Sequence, residues 1–237
     1  MRSFLRSNSL SLVMFALAGL FILGLSLTGA RQQAEDQREH GKPPEGYAAY
    51  LTSGDFVEAV FENWESEFLQ MGCYVVFTIW FLQRGSSESK DPDSDAAVDE
   101  DPRDHRNDPD APWPVRRGGL ALRLYQHSLS SALLGLFLLS MALHAWGGAR
   151  AYSEEQGEHG GRAVSVPAYV TTSRFWEEAF QNWQSEFLSI GMLLVLSIRL
   201  RDRGSPESKP VHAAHAHDGV LSSSTGQAPA GMLSGSL

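Results

Sequence analysis

Only one cysteine, Cys73, occurs in 237 residues, so no intrachain disulfide can form. No basic patch with interleaved aromatic residues is present, which excludes nucleic acid as a partner. Catalytic signatures are missing as well: there is no G-x-S-x-G, no H-E-x-x-H and no E-x-x-H pair. The two R-G-S-x-E-S-K segments lack the glycine spacing of a phosphate-binding loop. What the chain has instead is uneven polarity. A net charge of -9 and a mean hydropathy of -0.21 describe, on average, a soluble acidic protein. Yet the polar residues concentrate in Asp91 to Asp110 and His212 to Leu237, and elsewhere run apolar stretches of membrane-spanning quality.

The chain also repeats itself. Setting residue i against residue i+119 aligns Asn8 to Lys90 with His127 to Lys209, 83 positions without a gap and 34 of them identical. The most extended matches are N-W-E-S-E-F-L at Asn63 to Leu69 with N-W-Q-S-E-F-L at Asn182 to Leu188, and R-G-S-x-E-S-K at Arg84 and at Arg203. A third is E-x-Q-x-E-H-G, at Glu35 and at Glu154. Identities gather at the ends of the apolar runs and in the loops, where an arbitrary apolar side chain would not serve.

These patterns predict an all-α integral membrane protein of four transmembrane helices, arranged as two parallel helical-hairpin repeats. The first repeat is 1–90, with spans at about 9–27 and 64–82; the second is 116–209, with spans at about 127–146 and 183–200. Ser9 to Leu27 would extend about 28 Å as a helix, close to the hydrocarbon thickness of a bilayer. Arg2 and Arg6 precede it as they would a signal peptide, but its counterpart Leu129 to Trp146 is internal and cannot be one, so a retained span is expected. Between the spans of the first repeat, Phe56, Val57, Val60, Phe61, Trp64 and Phe68 recur at helical spacing, with Glu58, Glu62 and Glu65 opposite, and predict an amphipathic helix. The segment 91–115, rich in acidic residues and proline, and the tail 210–237 are expected to be disordered. His212, His215 and His217 in the tail form a flexible cluster of no defined role.

Of the 19 Lys and Arg residues, 13 lie on the side of the termini and linker. The other six, Arg31, Arg38, Lys42, Arg150, Arg162 and Arg174, lie in the two connecting loops. The positive-inside rule then places both termini in the cytoplasm, with the lipid bilayer as the surroundings.

Two groups of residues invite chemistry. On the helical wheel Glu67 falls within the apolar stripe, as does its counterpart Glu186, and an ionisable group there needs a partner. One reading pairs them with Arg31 and Arg150; another brings the two carboxylates together as an ion or proton site. Asn63, Ser66, Asn182 and Ser185 fit the same helix entrance, and Trp64 and Trp183 an aromatic belt. The second group, Glu35, Glu39, His40 with Glu154, Glu158, His159, offers carboxylates four residues apart beside a histidine, either a weak divalent-metal motif or a solvated loop face. No cofactor is called for.

The repeated N-W-x-S-E-F-L, E-x-Q-x-E-H-G and R-G-S-x-E-S-K, with P-W-P-V-R-R-G-G-L before the third span, resemble a bacterial family of small multi-pass membrane proteins catalogued only as a domain of unknown function. The resemblance covers Met1 to about Lys209 and implies a multi-pass bacterial membrane protein without supplying an activity. The expected function is a non-catalytic structural or partner-binding membrane component, with a homo-oligomer or another membrane protein as partner. A transporter or channel using Glu67 and Glu186, and a metal-dependent membrane enzyme, are the alternatives. No charged residue near the centre of a span and no broken helix argue for transport.

Overall fold

The computed structural model describes residues 2–91 and 96–213, and all regular structure among them is helical. In chain order the helices are α1 (Arg2–Ser7), α2 (Ser9–Glu39), α3 (Tyr47–Tyr50), α4 (Gly54–Phe77), a 3-10 turn at Ala97–Asp99, α5 (Trp113–Arg117), α6 (Gly119–Gln126), α7 (Ser128–Glu158), α8 (Val166–Tyr169) and α9 (Ser173–Leu196). The duplication is a structural one: α7, α8 and α9 each begin and end 119 residues after α2, α3 and α4. The chain divides into two compact units, Met1–Val76 with Gly119–Phe187, and Phe77–Gly118 with the residues from Leu188 on.

In the first unit α4 runs antiparallel to α7 at backbone contact. A Cβ placed on Gly54 would stand 2.5 Å from the Ala151 nitrogen, one on Gly147 would stand 2.6 Å from the Glu58 nitrogen, and one on Gly72 would meet Leu134 at 3.1 Å. Small residues permit this approach in the absence of a large aliphatic core. Descending α9 also follows α7, with the Phe175 ring 4.9 Å from His144 and the Trp183 ring 6.1 Å from Phe137. Lys42, just past α2, pairs with Glu158 at the end of α7, so the C-terminal ends of these two helices meet.

Among the described residues two helices, α2 and α7, are long and apolar enough to cross a membrane, against the four expected. The helices expected to span at 64–82 and 183–200 do not qualify by length and composition. They start about ten residues earlier, so α4 takes in Asp55, Glu58, Glu62, Glu65 and Glu67, and they stop at Phe77 and Leu196. What remains apolar at each end is too short.

The two stripes of α4 do not divide cleanly between inside and outside, since Val60 is buried along with acidic side chains. Glu58 and Glu65 are buried, whereas Glu67 is exposed and Trp64 is 41% exposed. Burial elsewhere in this unit follows suit: Ser26, Ser66, Gln70, Ser140 and His144 are inside, while Phe15 at 78% and Leu138 at 62% face outward. Polar side chains inside and apolar ones outside is the distribution that an apolar surround favours and water penalises.

In the second unit the two R-G-S-x-E-S-K segments form the same turn. The Gln83 nitrogen donates to Ser89 Oγ at 2.8 Å and the Asp202 nitrogen to Ser208 Oγ at 2.9 Å. Gly85 and Gly204 take φ of 85° and 90°, in the left-handed region that glycine tolerates. They shape this turn instead of ending the helices, which stop eight residues earlier. Ser86 bonds Ser197 at 2.8 Å, and Lys90 Nζ donates to the Ile79 carbonyl and pairs with Asp99. Over its described residues the acidic linker carries turns, the 3-10 turn and the Arg106 guanidinium on the Arg116 carbonyl at 3.2 Å. Residues 92–95 and the tail from 214, including His215 and His217, lie outside the described residues.

Candidate functional site

The repeated motifs account for helix geometry first. In E-x-Q-x-E-H-G, the histidine ends the helix and the glycine turns left-handed, with φ of 72° at Gly41 and 74° at Gly160. Lys42 N donates to the Gln37 carbonyl and Gly41 N to that of Arg38, and Gly161 N and Gly160 N repeat this on Gln156 and Gly157. That is a Schellman motif in both copies. His40 Nδ1 lies 2.7 Å from the Asp36 carbonyl and His159 Nδ1 3.0 Å from that of Glu155. Glu35, Glu39, His40, Glu154, Glu158 and His159 are all exposed or half-exposed at these helix ends.

The N-W-x-S-E-F-L residues largely bond to their own helices. Asn63 and Asn182 donate to the carbonyls of Ala59 and Glu178, and Ser66 and Ser185 to those of Asn63 and Asn182. Glu67 lies near enough for its charge to act on Glu186. Arg150 is engaged elsewhere, on the Thr52 carbonyl at 2.9 Å and on Glu154, and no ion pair of Arg31 is found among the described residues. Burial raises the Glu186 carboxyl, and the Glu67 charge adds to this.

A different set of ionisable groups converges inside the first unit. His144, midway along α7, has a carboxylate at each ring nitrogen: Glu65 Oε2 of α4 at 3.1 Å from Nδ1, and Glu178 Oε2 of α9 at 3.5 Å from Nε2. The side chains of His144 and Glu65 have no exposed surface. Trp183 Nε1 donates to the other Glu65 oxygen at 3.2 Å. From α8 the Tyr169 hydroxyl reaches 2.8 Å from both Glu58 Oε1 and Glu178 Oε2. Arg174 closes the set, its Nε donating to Glu178 Oε1 at 2.9 Å and its other end pairing with Glu155.

Burial raises the Glu58 carboxyl above its ordinary range, and the Glu178 charge adds to this against the hydrogen bond from Tyr169. Burial would raise Glu178 too, but the hydrogen bonds from His144, Tyr169 and Arg174 outweigh it and hold that carboxyl low. Two neighbouring carboxyls are thus driven apart in proton affinity by their surroundings.

Glycine makes room for the tyrosine. A Cβ on Gly148 would stand 2.5 Å from the Tyr169 ring and 2.6 Å from Glu58 Oε1, and one on its counterpart Gly29 would stand 1.9 Å from the Tyr50 hydroxyl. The G-A-R identity between the copies therefore records a glycine under a tyrosine in each. Much of the rest of the buried network lies where the copies differ, with Leu25 at the position of His144, Ala59 at that of Glu178, Gln184 at that of Glu65 and Asp55 at that of Arg174, whereas Glu58 and Trp183 are matched by Glu177 and Trp64. Reasoning from identities passes over the positions that differ. The available signal was His144 itself, an ionisable side chain within an apolar run, which the expectation of uncharged spans overlooks. The described surface concavities, one lined by residues including Arg31 and Tyr47 and the other by Asp202 to His212, touch none of these residues.

No curated protein and no solved structure matches the chain. Residues 1–220 match a family described as Domain of unknown function (DUF6766). That match runs through both copies of the repeat and every helix from α1 to α9, and the chain therefore belongs to the DUF6766 family.

Proposed function

We propose that the chain is a non-catalytic component of the bacterial cytoplasmic membrane, anchored through α2 and α7, that presents an apolar exterior to lipid and to a membrane-protein partner or a second copy of itself. The observation that carries this reading is the inverted first unit, in which Glu58, Glu65, Gln70 and His144 are buried while Phe15, Phe21, Leu129 and Leu138 are exposed. In water that arrangement would leave a large apolar surface uncovered. A closed network supports a structural role over a catalytic one, because His144 and Glu65 present no surface to a substrate.

Basic residues cluster on the side of the termini, Lys42 and Glu158 join the C-terminal ends of α2 and α7, and in this reading α4 and α9, antiparallel to α7, bring the chain back across the bilayer after each. The positive-inside rule supports a reading with both termini in the cytoplasm. Single cysteines at Ser7, Gly46 and Gly161 in a Cys73→Ser background test this with a membrane-impermeant maleimide on spheroplasts. Labelling at 46 and 161 but not at 7 is expected, and release of the protein by alkaline carbonate would overturn the membrane reading altogether.

Ion transport is the second reading, motivated by the charge of Glu67 acting on Glu186. Its test is flux in liposomes, where Glu67→Gln and Glu186→Gln abolish transport only if these carboxylates carry the ion.

A further inference from the structure

We propose that Glu58, His144 and Glu178 bind one divalent transition-metal ion, with the Tyr169 hydroxyl as a neighbouring donor. One ligand atom from each of the three residues falls within 4.8 Å of the others. The 3.5 Å from His144 Nε2 to Glu178 Oε2 is long for a charge-assisted hydrogen bond, which runs about 2.7–2.9 Å. It suits two ligands of one tetrahedral ion with bonds of about 2.0–2.2 Å. The Tyr169 hydroxyl lies 2.8 Å from an oxygen of each carboxylate, so Glu58 of α4 and Glu178 of α9 face the same point.

The surrounding groups are arranged as outer partners of such an ion. Glu65 takes the Nδ1 hydrogen of His144 at 3.1 Å, which turns the Nε2 lone pair toward Glu58 and Glu178. Trp183 fixes Glu65 through its second oxygen at 3.2 Å, and Arg174 holds Glu178 Oε1 at 2.9 Å, leaving Oε2 for the ion. A carboxylate behind a ligating histidine is the usual means of setting its tautomer and direction. Glu155 offsets the charge of Arg174. One imidazole with two carboxylates and no thiolate selects zinc, manganese or ferrous iron over copper(I) or calcium. Because Leu25 and Ala59 stand where His144 and Glu178 do, the first copy cannot form the site, and the duplicated chain binds one ion and not two.

The test uses the full-length chain in detergent, stripped with chelator, with His212, His215 and His217 replaced by alanine in every sample so that the tail contributes nothing. Zinc and manganese are titrated by equilibrium dialysis, and cobalt by its visible absorption. The expected result is one ion per chain, a higher melting temperature on binding, and an affinity lowered about tenfold or more in Glu58→Gln, Glu178→Gln and the outer-partner variant Glu65→Gln. Circular dichroism identifies which variants remain folded, and Glu35→Gln with Glu154→Gln should bind as the parent does. Absence of binding by the parent chain overturns the proposal, as does binding undiminished in the folded site variants.

Discussion

At Gly148 an added methyl would lie within 2.6 Å of both the Tyr169 ring and Glu58 Oε1. Gly148→Ala is expected to cost about 1–3 kcal/mol through overpacking, read as a lower melting temperature in detergent. Gly135→Ala, on the same helix with nothing within 4 Å of the new Cβ, should not lower it. Trp183→Phe keeps the ring but removes the donor to a carboxylate without exposed surface, and is expected to cost about 1–3 kcal/mol. Asp55, at the start of α4, is raised above its ordinary 3.8 by burial, against its own backbone hydrogen bond, Arg174 and Gln33. A carboxyl raised in the folded state stabilises the fold most when protonated, and that stability is lost as pH climbs from the unfolded value through the folded one. Asp55→Asn should therefore match the parent melting temperature below 3.8 and exceed it at neutral pH. Melting curves across pH check the sign.

Each long helix carries its own stop. Gly41 and Gly160 hold φ of 72° and 74° and complete the Schellman hydrogen bonds, so Gly160→Ala is expected to cost about 1–2 kcal/mol and to speed amide exchange at the last turn of α7. Such ends are legible because capping is local: the glycine, the histidine and the carbonyls they serve lie within six residues. The same locality explains the serine turns of R-G-S-x-E-S-K, where Ser89 reaches back to Gln83 and Ser208 to Asp202. The inward face of α4 was not legible in this way. Periodicity separates its aromatic stripe from its acidic one but does not say which faces the interior. The structure turns Glu58 and Glu65 inward because Tyr169, His144 and Trp183 wait there.

For the whole molecule, the duplication and its later divergence do different things. The 119-residue period and the all-helical class follow from the chain alone, since caps, turn residues and apolar runs act over a few neighbours. What only the tertiary structure decided is where the ionisable groups go. Glu65 meets His144 across 79 positions and Glu58 meets Tyr169 across 111, and no local pattern announces either contact. Nor does hydropathy by itself count the membrane helices here. Of the acidic residues along α4, Glu58 and Glu65 are buried against α7, α8 and α9, because burial of a charge depends on partners brought by the fold and not on the helix that carries it.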